Sequence, residues 1–137
     1  MKTLISREHD YALRIVAFLA GRKSESPISV KEISEKLFIS KSFTARIVHK
    51  LTKSKILGTV QGKFGGVFLK ADPQELSLFD ILTIMGFDSR LNACLYKHYI
   101  CPLEGSCKFH RFFVGLEKQI FSILKTKKIS EFEFSLE

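Results

Sequence analysis

Tryptophan is absent from the 137 residues, proline occurs only three times, and no apolar run approaches the ~18 residues of a membrane helix. With thirteen phenylalanines, that scarcity of proline excludes a disordered linker or low-complexity tail. No apolar h-region precedes the first charges, so no secretory signal is expected and the cytoplasm is the default compartment. Cysteine is sparse and odd in number, with only three, which makes a poor disulfide framework in a reducing compartment. Those thiols are expected to be structural, metal-binding or redox-active. Also missing are G-x-S-x-G, a phosphate-binding loop, H-E-x-x-H and a dinucleotide fingerprint, which leaves little for an enzyme.

Charge of one sign is missing where it matters most. From Lys36 to Lys70 there is no Asp or Glu, while Lys36, Lys41, Arg46, Lys50, Lys53, Lys55, Lys63 and Lys70 fall in that window. The rest of the chain has as many basic as acidic residues, so the whole net charge of +8 sits in this block. A localised positive field attracts a polyanion, and double-stranded DNA is the expected partner; a solvated lysine-rich face is the alternative.

What is present is enough for one core with an appendage: 45% of residues are hydrophobic. Tyr11, Ile15, Phe18 and Leu19 recur at helical spacing and predict a first helix over Arg7 to Ala20, ended by Gly21. Ser29 to Glu32 reads as a reciprocal capping box opening a short helix that buries Val30, Ile33 and Leu37. Ser40 is placed to cap a third helix over Lys41 to Ser54, with Phe43, Ile47 and Leu51 inward. Two β-rich runs, Ile56 to Val60 and Val67 to Leu69, flank the glycines of Gln61 to Gly66 and predict a hairpin. A helix-turn-helix followed directly by a basic hairpin is a winged helix-turn-helix.

Asp72-Pro73 breaks the chain, and Ser77 with Asp80 forms a second capping box for a helix through about Met85. An irregular stretch over Ser89 to Ser106 follows. Phe109, Phe113, Leu116, Ile120 and Ile123 then have the seam spacing of a long helix packing on another helix, or on the core. The expected fold is mainly α with a small β-hairpin. Residues 1–72 form the winged helix-turn-helix, and residues 73–137 a cysteine-bearing loop and C-terminal dimerisation helix. Two-fold operators favour a homodimer and a pseudo-palindromic site.

On the third helix, Ser40, Lys41, Ser42, Ala45 and Arg46 are expected to face the major groove, with Arg46 the best bidentate base reader. Lys41, Lys50 and Lys63 are assigned to phosphates, with Gln61 also on the wing. Cys94, Cys101, Cys107 and His110 lie close along the chain and offer three thiolates and an imidazole. Such donors suit zinc and iron-sulfur clusters alike, although no C-x-x-C pair is present. Three thiols packed as small apolar groups are the alternative, but Lys97, His98 and Glu104 make the loop polar.

The run His9-Asp-Tyr-Ala-Leu-Arg14, Ile39-Ser-Lys-Ser42, Gly62-Lys-Phe-Gly-Gly66 and the spaced cysteine triplet together resemble the IscR/NsrR (Rrf-type) family of bacterial iron-sulfur regulators. The resemblance covers nearly the whole chain. It implies a dimeric winged-helix repressor or activator whose 2Fe-2S or 4Fe-4S cluster sets DNA affinity in response to nitric oxide, oxygen or iron supply. It also implies cysteine ligands at Cys94, Cys101 and Cys107. His110 matches the histidine ligand of IscR-like members, and Asp10 the aspartate that NsrR-like members contribute from the partner subunit. Asp10 or Glu8 could equally stabilise the positive end of the first helix, and His110 could be an exposed first-turn residue. Two departures stand out. Six residues rather than five separate the first two cysteines, and Gln61 replaces the arginine of IscR-like wings.

Overall fold

The computed structural model describes residues 2–22, 26–103 and 105–136, so Glu104 lies outside the described residues. Five helices and one hairpin follow in the order α1 (Arg7–Ala20), α2 (Val30–Leu37), α3 (Lys41–Lys53), β1 (Leu57–Val60), β2 (Gly66–Leu69), α4 (Leu78–Ile84) and α5 (Lys108–Thr126). Single 3-10 turns occur at Ala93–Leu95 and Ile129–Glu131. The fold is mainly α with a small antiparallel hairpin, as expected. Among the described residues no helix is long and apolar enough to cross a membrane.

Helix α1 is the hub. It packs against α2, α3, α4, β2 and the last 3-10 turn. Ala12, Ala17 and Ala20 admit those neighbours closely, while Ile15, Val16, Phe18 and Leu19 fill the gaps between them, all fully or nearly buried. Burying each of the large side chains is worth about 1.5–3 kcal/mol, so this one helix organises much of the stability. From α2 come Ile33 and Leu37, and from α3 Ile47, Val48 and Leu51. Leu76, Ile81, Met85 and Ile129 join the same cluster from the second half of the chain. Tyr11, Val30 and Phe43, expected inside, are only partly buried and rest on the edge of this core.

The helix starts follow the caps. The Ser40 hydroxyl accepts the Phe43 amide at 3.2 Å. Ser77 and Asp80 exchange both bonds of their box at 3.0 Å. At α2, among the described residues, the expected box is half formed: the Ser29 hydroxyl accepts from the Glu32 amide, with no return bond from the Glu32 side chain. The reciprocal box occurs at α1 instead, where His9 takes the acidic role. Its Nδ1 accepts the Ser6 amide, and its own amide donates to the Ser6 hydroxyl.

The α2–α3 turn holds Phe38 at φ 57 and ψ 42 with its ring 93% exposed. A left-handed non-glycine residue costs roughly 1–2 kcal/mol, and nothing buried is gained in return. Phe38→Gly is therefore expected to stabilise the fold by about 1 kcal/mol, after allowing for glycine's greater freedom when unfolded. The readout is a higher urea midpoint at unchanged slope; an unchanged midpoint would refute this origin of strain.

In the hairpin, Leu57 pairs with Leu69 and Val60 with Gly66. Its turn end is tied to the chain before α2: the Ile28 amide donates to the Val67 carbonyl at 3.0 Å, and the Val67 amide returns a bond to Ile28 at 2.7 Å, one residue from the pair that closes the turn. The brace thus reaches the pair next to the turn, and the turn projects beyond it.

The C-terminal segment returns to close the core. The Ile129 amide bonds to the Leu76 carbonyl at 2.8 Å, and Phe134 leans on Phe18 with ring centroids 6.0 Å apart. Gly21 ends α1 where the Phe134 backbone crosses so closely that a Cβ would collide with its carbonyl. By contrast, no residue of the 19-residue α5 is buried. Within the expected seam, Phe113, Leu116 and Ile120 are half-buried while Phe109 and Ile123 are exposed, and Phe112 joins the exposed set. Its link to α4 is the edge-on pair Phe79–Phe121, centroids 5.5 Å apart.

Candidate functional site

The described structure has two chemically distinct regions of interest, a basic face on α3 and the hairpin, and a hollow among the cysteines. On α3, Ser40, Lys41, Ser42, Ala45, Arg46 and Lys50 are all exposed, as helical periodicity requires once Ile47 and Leu51 are inside. Gln61 and Lys63 are exposed on the wing. Ser40 has a structural duty as well, since its hydroxyl caps the helix.

Arg46 lies over the Phe43 ring, 4.6 Å from its centroid, and Phe43 meets Tyr11 of α1 edge-on at 5.3 Å. The aromatic face limits the guanidinium's freedom, so less entropy is lost when its fork engages a partner. Lys50 is less free than its sequence position suggested. Its ammonium donates to Glu8 of α1 at 2.8 Å. The Lys50 hydrogen bond, aided by the charges of Lys50 and Arg46, holds the Glu8 carboxyl below its ordinary value against the opposing effect of burial. Sequence spacing gave no sign of this pair, because its members stand on different helices.

The second region is a hollow of about 160 Å³ lined by Asn92, Cys94, Tyr99, Cys101, Cys107, Phe109 and His110. All three cysteines are free thiols of intermediate exposure. Cys94 comes from the 3-10 turn, Cys101 from the following loop, and Cys107 and His110 from the start of α5. Cys107 occupies the N-cap position without making a side-chain cap bond, which leaves its sulfur available to the hollow. Among the described residues no three metal-binding side chains stand in chelating arrangement, yet the expected donors share one cavity. Three soft thiols with one imidazole are a donor set that fits zinc or an iron-sulfur cluster.

Asp10 is elsewhere within the chain. It pairs with Arg14 at 2.6 Å and lines a different hollow with Tyr11 and Arg14. Within one chain it is His110, not Asp10, that shares the hollow with the cysteines.

Two supports of the hollow are tertiary or loop-specific. Asp88 receives two bonds from the Arg90 guanidinium, at 2.8 and 3.1 Å, and one from the Tyr96 hydroxyl at 2.9 Å. Arg90 also stacks over Tyr96 at 4.0 Å. The side-chain bonds from Arg90, then its backbone amide, depress the Asp88 carboxyl to about 2. On the other side, His9 Nε2–H donates to the Met85 carbonyl at 3.0 Å and its ring meets Phe87 edge-on at 5.6 Å. That fastens the start of α1 to the end of α4, where the cysteine loop begins.

The family model of Rrf2, described as an iron-dependent transcriptional regulator, matches residues 5–132. The chain belongs to the Rrf2 family. Among its relatives in this family of transcriptional regulators, NsrR of Bacillus subtilis strain 168 is 27% identical over 103 residues, covering 69% of this chain and 70% of that one. The structure of CymR, the global cysteine regulator of B. subtilis, superposes with a TM-score of 0.76 at 21% identity over 95% of both chains. T. potens IscR superposes with a TM-score of 0.72 at 21% identity, covering 95% of this chain and 84% of that one. Rrf2 chains are regulators rather than enzymes, in keeping with the missing catalytic motifs. The fold of these neighbours is this chain's winged helix.

Proposed function

We propose that this Rrf2 protein is a cytoplasmic homodimer that binds a pseudo-palindromic DNA operator with an affinity set by an iron-sulfur cluster at its cysteine hollow. The observation that carries the reading is the convergence of three free thiols and one imidazole on a single cavity in an otherwise winged-helix chain. Residues 1–72 supply the DNA-binding surface: Arg46 reads bases, Ser40, Lys41, Ser42 and Ala45 line the groove, Lys41, Lys50 and Lys63 meet phosphates, and Gln61 stands on the wing. Residues 73–137 supply the sensor and the dimer helix, whose exposed Phe109, Phe112 and Ile123 await a second copy.

Cys94, Cys101 and Cys107 would hold the cluster, with His110 of the same chain or Asp10 of the second copy as fourth ligand. When bound, such a cluster supplies iron centres that react with nitric oxide or oxygen or are lost when iron is short. The chain's own residues supply the connection to DNA. The hollow's loop hangs from Met85 to Phe87, Met85 is bonded to His9, and the adjacent Glu8 is paired with Lys50 on α3. A change in the hollow thus has a short packed route to the groove-facing helix, and occupancy biases the placement of α3.

A second reading, zinc binding or direct thiol oxidation, is supported by the resemblance in fold to CymR and by thiols that share a cavity without chelating geometry. Anaerobic purification with a visible spectrum and iron, sulfide and zinc analysis separates them. Brown protein containing iron and sulfide is expected, with the chromophore lost or altered in either His110→Ala or Asp10→Ala, whichever removes the fourth ligand. Colourless protein that resists reconstitution would overturn the cluster and leave the zinc or thiol regulator.

A further inference from the structure

The wing ends in a four-residue turn closed by the Gly65 amide on the Gly62 carbonyl at 3.1 Å, so Lys63 and Phe64 are its two central residues. Turn apices ordinarily carry Gly, Asn, Asp or Ser, which water solvates at little cost. Here the apex carries a phenylalanine that is 85% exposed. The Lys63 ammonium lies 5.7 Å from its ring centroid, so the hydrocarbon is presented beside a cation. Single exposed apolar side chains are common and by themselves mean nothing. This one stands on the turn of a hairpin whose second strand is pinned to Ile28 at Val67, close to that turn, by two backbone bonds, within a stretch free of acidic residues.

We propose that Phe64 is an apolar wedge that enters the minor groove of the operator beside the α3 half-site and partly unstacks one base step. The inference rests on the DNA-binding reading above and deepens it. A positively charged tip is drawn to a polyanion and repelled by basic protein surfaces, which makes a duplex the occupant rather than another protein. The minor groove is about 6 Å wide, and aromatic or aliphatic wedges open it by separating stacked pairs. Gln61 carries no guanidinium for reading a narrow groove, so the wing's discrimination comes from deformability. Flexible pyrimidine–purine steps such as TA or CA/TG are preferred beneath Phe64. Lys63 holds the neighbouring phosphate while the ring inserts.

The test uses the full-length protein and a duplex that the wild type selects from a random pool, resynthesised with 2-aminopurine at successive adenines of its flanks. Wild type is expected to raise the fluorescence at one flanking step, and Phe64→Leu to preserve the rise. Phe64→Ala should abolish it and weaken binding roughly tenfold, with an unchanged salt slope because phosphate contacts remain. Lys63→Ala should do the reverse, lowering the salt slope by about one contact and keeping the signal. Phe64→Ala with wild-type affinity and fluorescence overturns the wedge alone. Wild type that selects no duplex overturns the DNA-binding reading, and the wedge with it.

Discussion

Arg46→Ala is expected to weaken binding to a selected operator by about 10- to 100-fold while leaving affinity for random DNA nearly unchanged. One bidentate contact to a guanine edge is worth roughly 1–3 kcal/mol of discrimination, and Arg46 is the one arginine on the exposed face of α3. Its stacking on Phe43 means the fork is already partly ordered, so its loss is felt mainly in specificity. Lys50→Ala should lower both affinities together, because an ammonium on a phosphate carries no sequence information. The ion pair with Glu8 sharpens the comparison: Glu8→Gln frees Lys50 and should raise affinity for every sequence. Competition binding on selected and scrambled duplexes at fixed salt measures all three. Equal losses on both duplexes for Arg46→Ala would remove Arg46 from base reading.

Gly66→Ala is expected to destabilise the protein by about 2–4 kcal/mol and to abolish high-affinity DNA binding even below its melting temperature. Gly66 adopts φ +153, and a Cβ there would lie 2.6 Å from the Ile28 carbonyl carbon and oxygen and 2.9 Å from its nitrogen. Those are backbone atoms, which cannot swing aside as a side chain would. Relief requires parting Ile28 from Val67, the two residues whose paired bonds fix the hairpin to the core. Gly62→Ala is the control, since Gly62 also has positive φ, +103, but open space around it. It should cost only the conformational penalty, about 1 kcal/mol. Thermal melts of the three proteins decide it, and a Gly66→Ala melt equal to that of Gly62→Ala would show that the Ile28–Val67 brace is not a constraint.

Much of the architecture was readable along the chain because its determinants are local. The serine caps at Ser40 and Ser77, the spacing of Ile47 and Leu51 and the glycine-flanked hairpin each act over a few residues, and each formed as expected. The thiol hollow was readable for the same reason, its four donors being close neighbours in sequence. What escaped are pairings across distance. His9 reaches Met85 across 76 positions and Glu8 reaches Lys50 across 42, with no periodicity to announce either contact. For α5 the sequence left two partners open, because a seam of apolar residues reads identically whether its partner is the chain's own core or something outside it. Ser29 and Glu32 show the opposite failure: the motif was correct, but the carboxylate remained exposed in place of returning to the cap.

The floor beneath α1 has a consequence for synthesis. Ile129, fully buried, and Phe134, against Phe18, lie far downstream of α1 in the sequence, yet they complete the core around it. A nascent chain that has already released α3 and the wing from the ribosome still lacks one wall of the core they surround. Until Ile129 and Phe134 emerge, Phe18 and its neighbours face water or a chaperone. The packed form of the winged helix therefore waits on residues made well after it.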